Sequence, residues 1–415
     1  MFTKVKALLF STTSRDTLIS FIGLGTIAAV GMLFTVITAR AMGPETFGLF
    51  TALNVIVTLA SGVGDFGISA ALVNFLPKMV DRRSVLISVT FWFQLLISFF
   101  IGLTVLAIGL IPGFIVPGST STHFIIVAFL TVIYIFQGFA VGLFNAEKKF
   151  LQSSIVQASD SIIKLILVSA IFFSERLNIE IALLANILSC AISVIYGLRN
   201  ELSVIRPIFP KSQLTPIISF SRWIALTRIF SVMISRVDVL LLNLFVGAFQ
   251  TGIFAAASRI TLLFALLVSS IGSVTAPRFS SFINKKDIIT YIKKVSLLVA
   301  GVSVFMLLTL IFAKPLILLV FGTKYLPSVP VFQALTIAMI PFLLSIITTQ
   351  PLVYSFNQPH FMAKITILQV TLIVFMDILL IPKFFSLAPA ISLGITNTIV
   401  LVISAYKLRI LVTNA

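Results

Sequence analysis

Gly43-Pro44-Glu45-Thr46-Phe47-Gly48-Leu49-Phe50-Thr51-Ala52 is echoed by Gly247-Ala248-Phe249-Gln250-Thr251-Gly252-Ile253-Phe254-Ala255-Ala256. Both copies read Gly, four residues, Gly, an aliphatic residue, Phe, any residue, Ala. Each lies between two long apolar runs. A repeat with a period of roughly 200 residues is a duplicated half, not a short solenoid unit. In a membrane chain such a duplication points to a transporter with its site at the seam between repeats.

Composition places the chain in a bilayer. Of 415 residues, 59% are hydrophobic and only 10% are charged, with a mean hydropathy of +1.18. A soluble domain carries about 25% charged residues. The net charge of +17 does not mark a nucleic-acid binder, because the basic residues are spread over many short loops rather than gathered on one face. Cys190 is the single cysteine, so no internal disulfide can form. It reads as a small buried thiol. The first apolar run is too long for a cleaved signal peptide and lacks a small-residue cleavage site.

A helix needs about 20 apolar residues to cross a bilayer core. Twelve spans meet that length, near 17–42, 48–77, 85–111, 123–146, 153–174, 180–198, 215–245, 248–277, 295–313, 328–355, 363–381 and 389–406. Segment 314–327 is apolar but short, and reads as interfacial or re-entrant. With the N-terminus inside, nineteen Lys and Arg fall in inner segments and four in outer ones. That bias follows the positive-inside rule and puts both termini in the cytoplasm of a multi-pass protein of the cell (inner) membrane. The polar stretch 199–214 divides the chain into an N-terminal six-helix bundle, 1–198, and a C-terminal one, 215–415. Six spans per half give both halves the same orientation, a parallel repeat. The fold class is therefore an all-α polytopic membrane protein.

Charged groups at membrane depth cost about 2.5–3.5 kcal/mol each on the insertion scale. By default they mark a site. Asn54, Thr58, Ser61, Asp65 and Ser69 follow one another at helical spacing and share one face of the second span. Asp65 reads as a cavity-lining acid that couples an ion or pairs with a base; a structural interhelical bond is the alternative. In the fifth span Ser153, Gln157, Asp160 and Lys164 repeat the pattern. Asp160 and Lys164 can pair at i,i+4 with the acid first, the better orientation. The seventh span carries Arg222, Arg228 and Arg236, with Asp238 close behind. Ser221, Arg228, Ser231, Ser235 and Asp238 occupy one arc, and Arg236 borders it. Arg222 can snorkel to the inner interface. Arg228 sits nearer mid-span and is the first candidate to contact phosphate, since guanidinium matches phosphate oxygens bidentately. The alternative is an ion pair with Asp238, Asp65 or Asp160. Arg259 in the eighth span is expected on the same seam. Arg40 and Asp377 read as interfacial.

Thr38-Ala39-Arg40-Ala41-Met42-Gly43-Pro44-Glu45-Thr46-Phe47-Gly48-Leu49-Phe50 resembles the opening signature of polysaccharide-biosynthesis flippases. These are the Wzx-type exporters of lipid-linked oligosaccharides in the multidrug/oligosaccharidyl-lipid/polysaccharide (MOP) superfamily. Asp65-Phe66-Gly67-Ile68-Ser69-Ala70-Ala71-Leu72-Val73-Asn74-Phe75 resembles the family's second helix. Ser235-Arg236-Val237-Asp238 through Gly247, then Gly252-Ile253-Phe254, is similar to its seventh and eighth. The resemblance implies two six-helix bundles in a V-shaped, MATE-like fold that works by alternating access. Asn74 departs from the family pattern, which carries a basic residue there.

Together these readings predict a flippase that moves an undecaprenyl-pyrophosphate-linked oligosaccharide, such as an O-antigen or capsule unit, to the outer leaflet. The expected partners are the bilayer, the lipid-linked oligosaccharide, a coupling H+ or Na+, and a polysaccharide polymerase or glycosyltransferases. No cofactor, metal or nucleic acid is expected. His123 and His360 fall on opposite sides. The glycine repeats lack the Lys-Ser/Thr of a P-loop. A MATE-like small-molecule exporter is the alternative, though arginines disfavour cationic drugs. A glycan polymerase or ligase is a further one, but the outer loop 112–122 has no ionisable residue. The halves differ in chemistry: Asp65 aligns with Ser269 in the second copy, and the seventh span's arginines have no charged counterpart in the middle of the first.

Overall fold

The computed structural model describes residues 12–111, 113–174, 177–207, 211–282 and 284–413. The side chains of 12–21, 80, 211–214 and eight positions between 223 and 235 lie outside that description. Among the described residues thirteen α-helices follow one another: α1 Thr12–Gly64, α2 Ile68–Phe75, α3 Arg83–Gly109, α4 Ser121–Ala146, α5 Phe150–Phe172, α6 Ile179–Leu198, α7 Lys211–Val246, α8 Ala248–Ser281, α9 Lys285–Ile311, α10 Ala313–Val320, α11 Ser328–Tyr354, α12 Pro359–Phe384 and α13 Ala388–Thr413. No strand occurs among the described residues.

Nine stretches of the described residues are long and apolar enough to cross a bilayer. Two of them hold two spans each: Ile22–Gly64 turns at Gly43, and Pro359–Thr413 contains α12 and α13. The arginine-bearing α7, 36 residues long, makes the twelfth. Segment 314–327 forms α10 and a short 3-10 turn, Thr323–Tyr325. Ala313, Ile317, Phe321 and Tyr325 are buried at four-residue spacing, so one stripe packs on protein. Eight residues of helix rise only about 12 Å and cannot cross. Leu96, Phe99, Phe129, Leu297 and Leu319 are among many large apolar side chains left exposed, as lipid-facing surface requires.

The repeated motif has the same backbone in both copies. Gly43 has φ 74° and ψ 173°, and Gly247 has φ 85° and ψ 178°. That region is essentially closed to residues with a Cβ. Each glycine thus ends one span and starts the next, and Pro44 takes the first helical position, where its missing N–H costs nothing.

Contacts group the chain into two units, Met1–Met42 with Leu49–Arg236, and Gly43–Gly48 with Val237–Ala415. Packing places 211–236 with the first unit and 43–48 with the second. In the first unit α4 is central, packing on α2, α3, α5 and α6. Its core joins Ile68, Leu72, Leu86, Phe139, Leu143 and Ile217. In the second unit α11 is central, packing on α8, α9, α10, α12 and α13. The fourth span of each half is therefore its axis. Within the second unit the two motif copies meet reciprocally. A Cβ on Gly48 would lie 1.8 Å from the Ala248 carbonyl oxygen, and one on Gly252 would lie 1.8 Å from the Pro44 oxygen. The first glycine of each copy makes the turn and the second makes the helix contact.

Candidate functional site

The second span is not continuous, as 48–77 was expected to be. It stops at Gly64 and resumes at Ile68, with Asp65-Phe66-Gly67 between. Phe66 and Gly67 both take positive φ, 44° and 74°. A break at membrane depth survives only where its freed backbone groups find partners. Gln94 of α3 donates to the Gly64 carbonyl at 2.6 Å. The Gly67 carbonyl accepts from the Ala71 amide of its own helix at 3.0 Å, and Ser221 of α7 adds a bond at 3.4 Å. Asp65 Oδ1 accepts from Ser69. The single polar stripe expected along this span is therefore interrupted: Thr58 and Ser61 bond their own helix's carbonyls, while Asp65 sits on the break.

Asp65 is buried, 7% exposed. Its Oδ2 lies 4.0 Å from Nε of Arg228, whose side chain is 57% exposed. One edge of the guanidinium thus leans toward the acid while much of its surface stays open. This arrangement joins two expected site residues and leaves the arginine accessible to an anion.

A second polar cluster lies in the same unit. Lys164 Nζ is 3.4 Å from Asp160 Oδ2 and donates to the Tyr134 hydroxyl at 3.3 Å. It also stands 5.4 Å from the Phe34 ring centre, a favourable place for a cation. Ser189 donates to Asp160 Oδ1 at 2.7 Å, and Asn186 donates to Asn54 Oδ1 at 3.3 Å. Asn54, Asp160 and Lys164 are thus tied into one network through α6. Asp160 is 5% exposed, so this pair is largely self-neutralised. Gln157 bonds the Ser153 carbonyl of its own helix at 3.4 Å. Asn186, Ser189 and Ser193 recur at three- and four-residue spacing. The periodic pattern that exposed the second and fifth spans is also present in the sixth, where sequence reading passed over it.

Arg222 is exposed and Arg236 half-buried, both in the first unit. Arg259 is half-buried and Asp238 half-buried in the second; Asp238 Oδ1 accepts from the Val239 amide at 2.8 Å. The side chains of Ser231 and Ser235 lie outside the described residues.

The second unit adds a buried acid. Asp377, which reads from the sequence as interfacial, is 0% exposed within the protein, and neither carboxylate oxygen has a hydrogen-bond partner among the described residues. Ser392 approaches it without reaching hydrogen-bond geometry, and Asp238 lies within electrostatic reach. Burial comes from α13, which packs along α12; position along a helix says nothing of that neighbour.

At the end of the first unit where α3 begins, Arg83 Nε meets Glu147 at 2.5 Å and its Nη2 meets both oxygens of Glu201 at 2.8 Å. Lys149 adds a 2.6 Å ion pair to Glu147. Burial pushes the Glu147 carboxyl up, but hydrogen bonds from Arg83 and Lys149 outweigh it and hold the group below its ordinary value. Trp92 donates to the Arg206 carbonyl at 3.0 Å, so the stretch after α6 is fastened to α3. Lys78 donates to Asn74 at 2.6 Å, one helical turn away.

The family model described as polysaccharide biosynthesis protein matches residues 14–283, more than half of the chain. The chain belongs to that family. No curated protein matches the sequence. Among solved structures, this family member is similar to the lipid II flippase MurJ in an inward closed conformation, with a TM-score of 0.76 at 15% identity, over 94% of this chain and 87% of that one. It is similar to an inward-facing multidrug resistance MATE family transporter of the MOP superfamily, with a TM-score of 0.67 at 16% identity, over 95% and 98%. It is also similar to a MOP superfamily transporter from Pyrococcus furiosus, with a TM-score of 0.61 at 14% identity, over 96% and 95%. At these identities the likeness establishes the fold: the family member is a multi-pass, all-α membrane protein with the MOP transporter fold.

Proposed function

We propose that the protein is a flippase that carries an anionic, lipid-linked oligosaccharide from the inner to the outer leaflet by alternating access. The carrying observation is Arg228, a cation on a membrane-spanning helix that leans on Asp65 at the broken second span yet stays 57% exposed. Family membership supports a polysaccharide precursor as cargo, and a lipid II flippase among the fold relatives supports a lipid-linked one. Guanidinium would take the pyrophosphate oxygens bidentately, and Asp65 would hold the arginine between transport cycles. On this reading the halves 1–198 and 215–415 move about the linker 199–214, and both termini lie in the cytoplasm. An interior-negative potential favours outward movement of an anion by about 2.3 kcal/mol per charge per 100 mV. Cationic-drug export fits an arginine-bearing site poorly.

The test is reconstitution in proteoliposomes with a labelled polyprenyl-pyrophosphate-linked glycan. Arg228→Ala should lower the flipping rate by about tenfold or more, the scale of losing a charged hydrogen-bond pair. An unchanged rate refutes the role. A second reading, ion coupling, is favoured by Asp377, whose buried oxygens lack hydrogen-bond partners among the described residues. A proton or Na+ would satisfy them. Asp377→Asn should then leave potential-driven flipping intact while removing its dependence on an ion gradient.

A further inference from the structure

Outside the polar groups of the first unit, the second unit holds a cavity of about 380 Å³ where α8 meets α9. Its chemistry is divided. Arg278, Lys294 and the hydroxyl-bearing Tyr291 stand with the apolar Val274, Val295 and Leu298. Arg278 lies 5.9 Å from the Tyr291 ring centre, and Tyr291 is wedged against Phe279 and Phe282 at 5.0 and 5.3 Å. The aromatic cluster therefore fixes one wall.

Charge is uncompensated here. Residues 270–298 hold five Lys and Arg against one acid, Asp287. Among the described residues, no carboxylate pairs with Arg278 or Lys294. Lys285 at the start of α9 has a buried ammonium without a hydrogen-bond partner among the described residues. Val274 and Leu298 are 58% and 53% exposed on membrane-spanning helices, so the apolar side of the cavity opens toward acyl chains. Cations at one end and exposed aliphatic walls at the other match a molecule that is anionic at its head and hydrocarbon below. Basic pockets between membrane helices on the cytoplasmic side hold lipid head groups in this way.

We propose that the α8–α9 cavity is a binding site for a phosphate-bearing lipid, with the phosphate on Arg278 and Lys294 and the chain along Val274 and Leu298. The site is separate from Arg228 and needs no transport to be tested.

Native mass spectrometry of the purified full-length protein reads it directly. Phosphatidylglycerol, phosphatidylcholine, polyprenyl monophosphate and inorganic phosphate are offered in turn. Wild-type protein should retain phosphatidylglycerol over phosphatidylcholine and should not retain inorganic phosphate. Arg278→Gln with Lys294→Gln should lower that retention by about thirtyfold, given the worth of two basic groups near a lipid surface. Val274→Trp fills the cavity without touching the charges and should lower it too. Equal retention in the charge variant, or retention in the filled variant, overturns the site. Polyprenyl monophosphate displacing phosphatidylglycerol identifies the occupant as the carrier lipid; failure to displace it identifies a resident phospholipid.

Discussion

Gly48→Ala is expected to break the motif contact on which both copies of the repeat converge. The added Cβ would lie 1.8 Å from the Ala248 carbonyl oxygen and 2.6 Å from the Gly252 nitrogen. An ordinary close C···O contact is about 3.3 Å, so the two segments must separate by about 1.5 Å. Both sides are backbone, so no rotamer change can relieve the clash. Overpacking costs about 1–3 kcal/mol, and a 1.8 Å clash with backbone belongs at the upper end, against a gain of about 1 kcal/mol for replacing glycine by alanine in a helix. Net destabilisation of about 2 kcal/mol or more should follow. Gly252→Ala should match it, because its Cβ would fall 1.8 Å from the Pro44 oxygen. The double variant should cost less than the sum, since one separation relieves both clashes. Gly31→Ala is the control: nothing lies within 4 Å of its Cβ position. Thermal unfolding midpoints of purified protein in detergent, with reconstituted flipping as a second readout, measure all four. If Gly48→Ala and Gly252→Ala unfold with the Gly31→Ala protein, the reciprocal contact carries no energy.

Three further outcomes are expected. Lys164→Met alone should destabilise by about 3–5 kcal/mol, because it strands buried Asp160, while Asp160→Asn with Lys164→Met should recover much of the loss; unfolding midpoints of the two variants decide it. Glu147 is held below its ordinary value of 4.5, so its contribution to stability is present above that pH and is lost as pH falls through the lowered value. The midpoint gap between wild type and Glu147→Gln should therefore be constant near neutrality and close in acid; a gap that widens in acid contradicts the ion pair. Gln94→Leu removes the donor to the Gly64 carbonyl and should cost about 1–3 kcal/mol for a buried group left unpaired, with faster hydrogen exchange at 65–68 as its local signature.

Much of the architecture was legible without coordinates. Apolar runs of bilayer length, separated by basic loops, yield twelve spans because a lipid-exposed backbone must close its own hydrogen bonds and only a helix does so within one segment. The motif at 43–52 and 247–256 announced the duplication, and both first glycines proved to hold the same forbidden backbone. The Asp160–Lys164 pair was readable from i,i+4 spacing alone. Local rules reach that far because they act along one helix. They do not reach across helices. Whether the second span breaks at Asp65 depends on Gln94 arriving from α3 to take up the Gly64 carbonyl. Whether Asp377 is exposed or covered by protein depends on α13 packing beside it. Whether Gly48 is a spacer or a contact depends on Ala248 standing opposite, about 200 residues away by the repeat period. Sequence by itself determined which segments enter the membrane, because transfer into lipid is a property of each segment's own composition. Only the tertiary structure decided which polar groups are satisfied and which remain open, because a hydrogen bond or an ion pair needs a partner that another helix must bring.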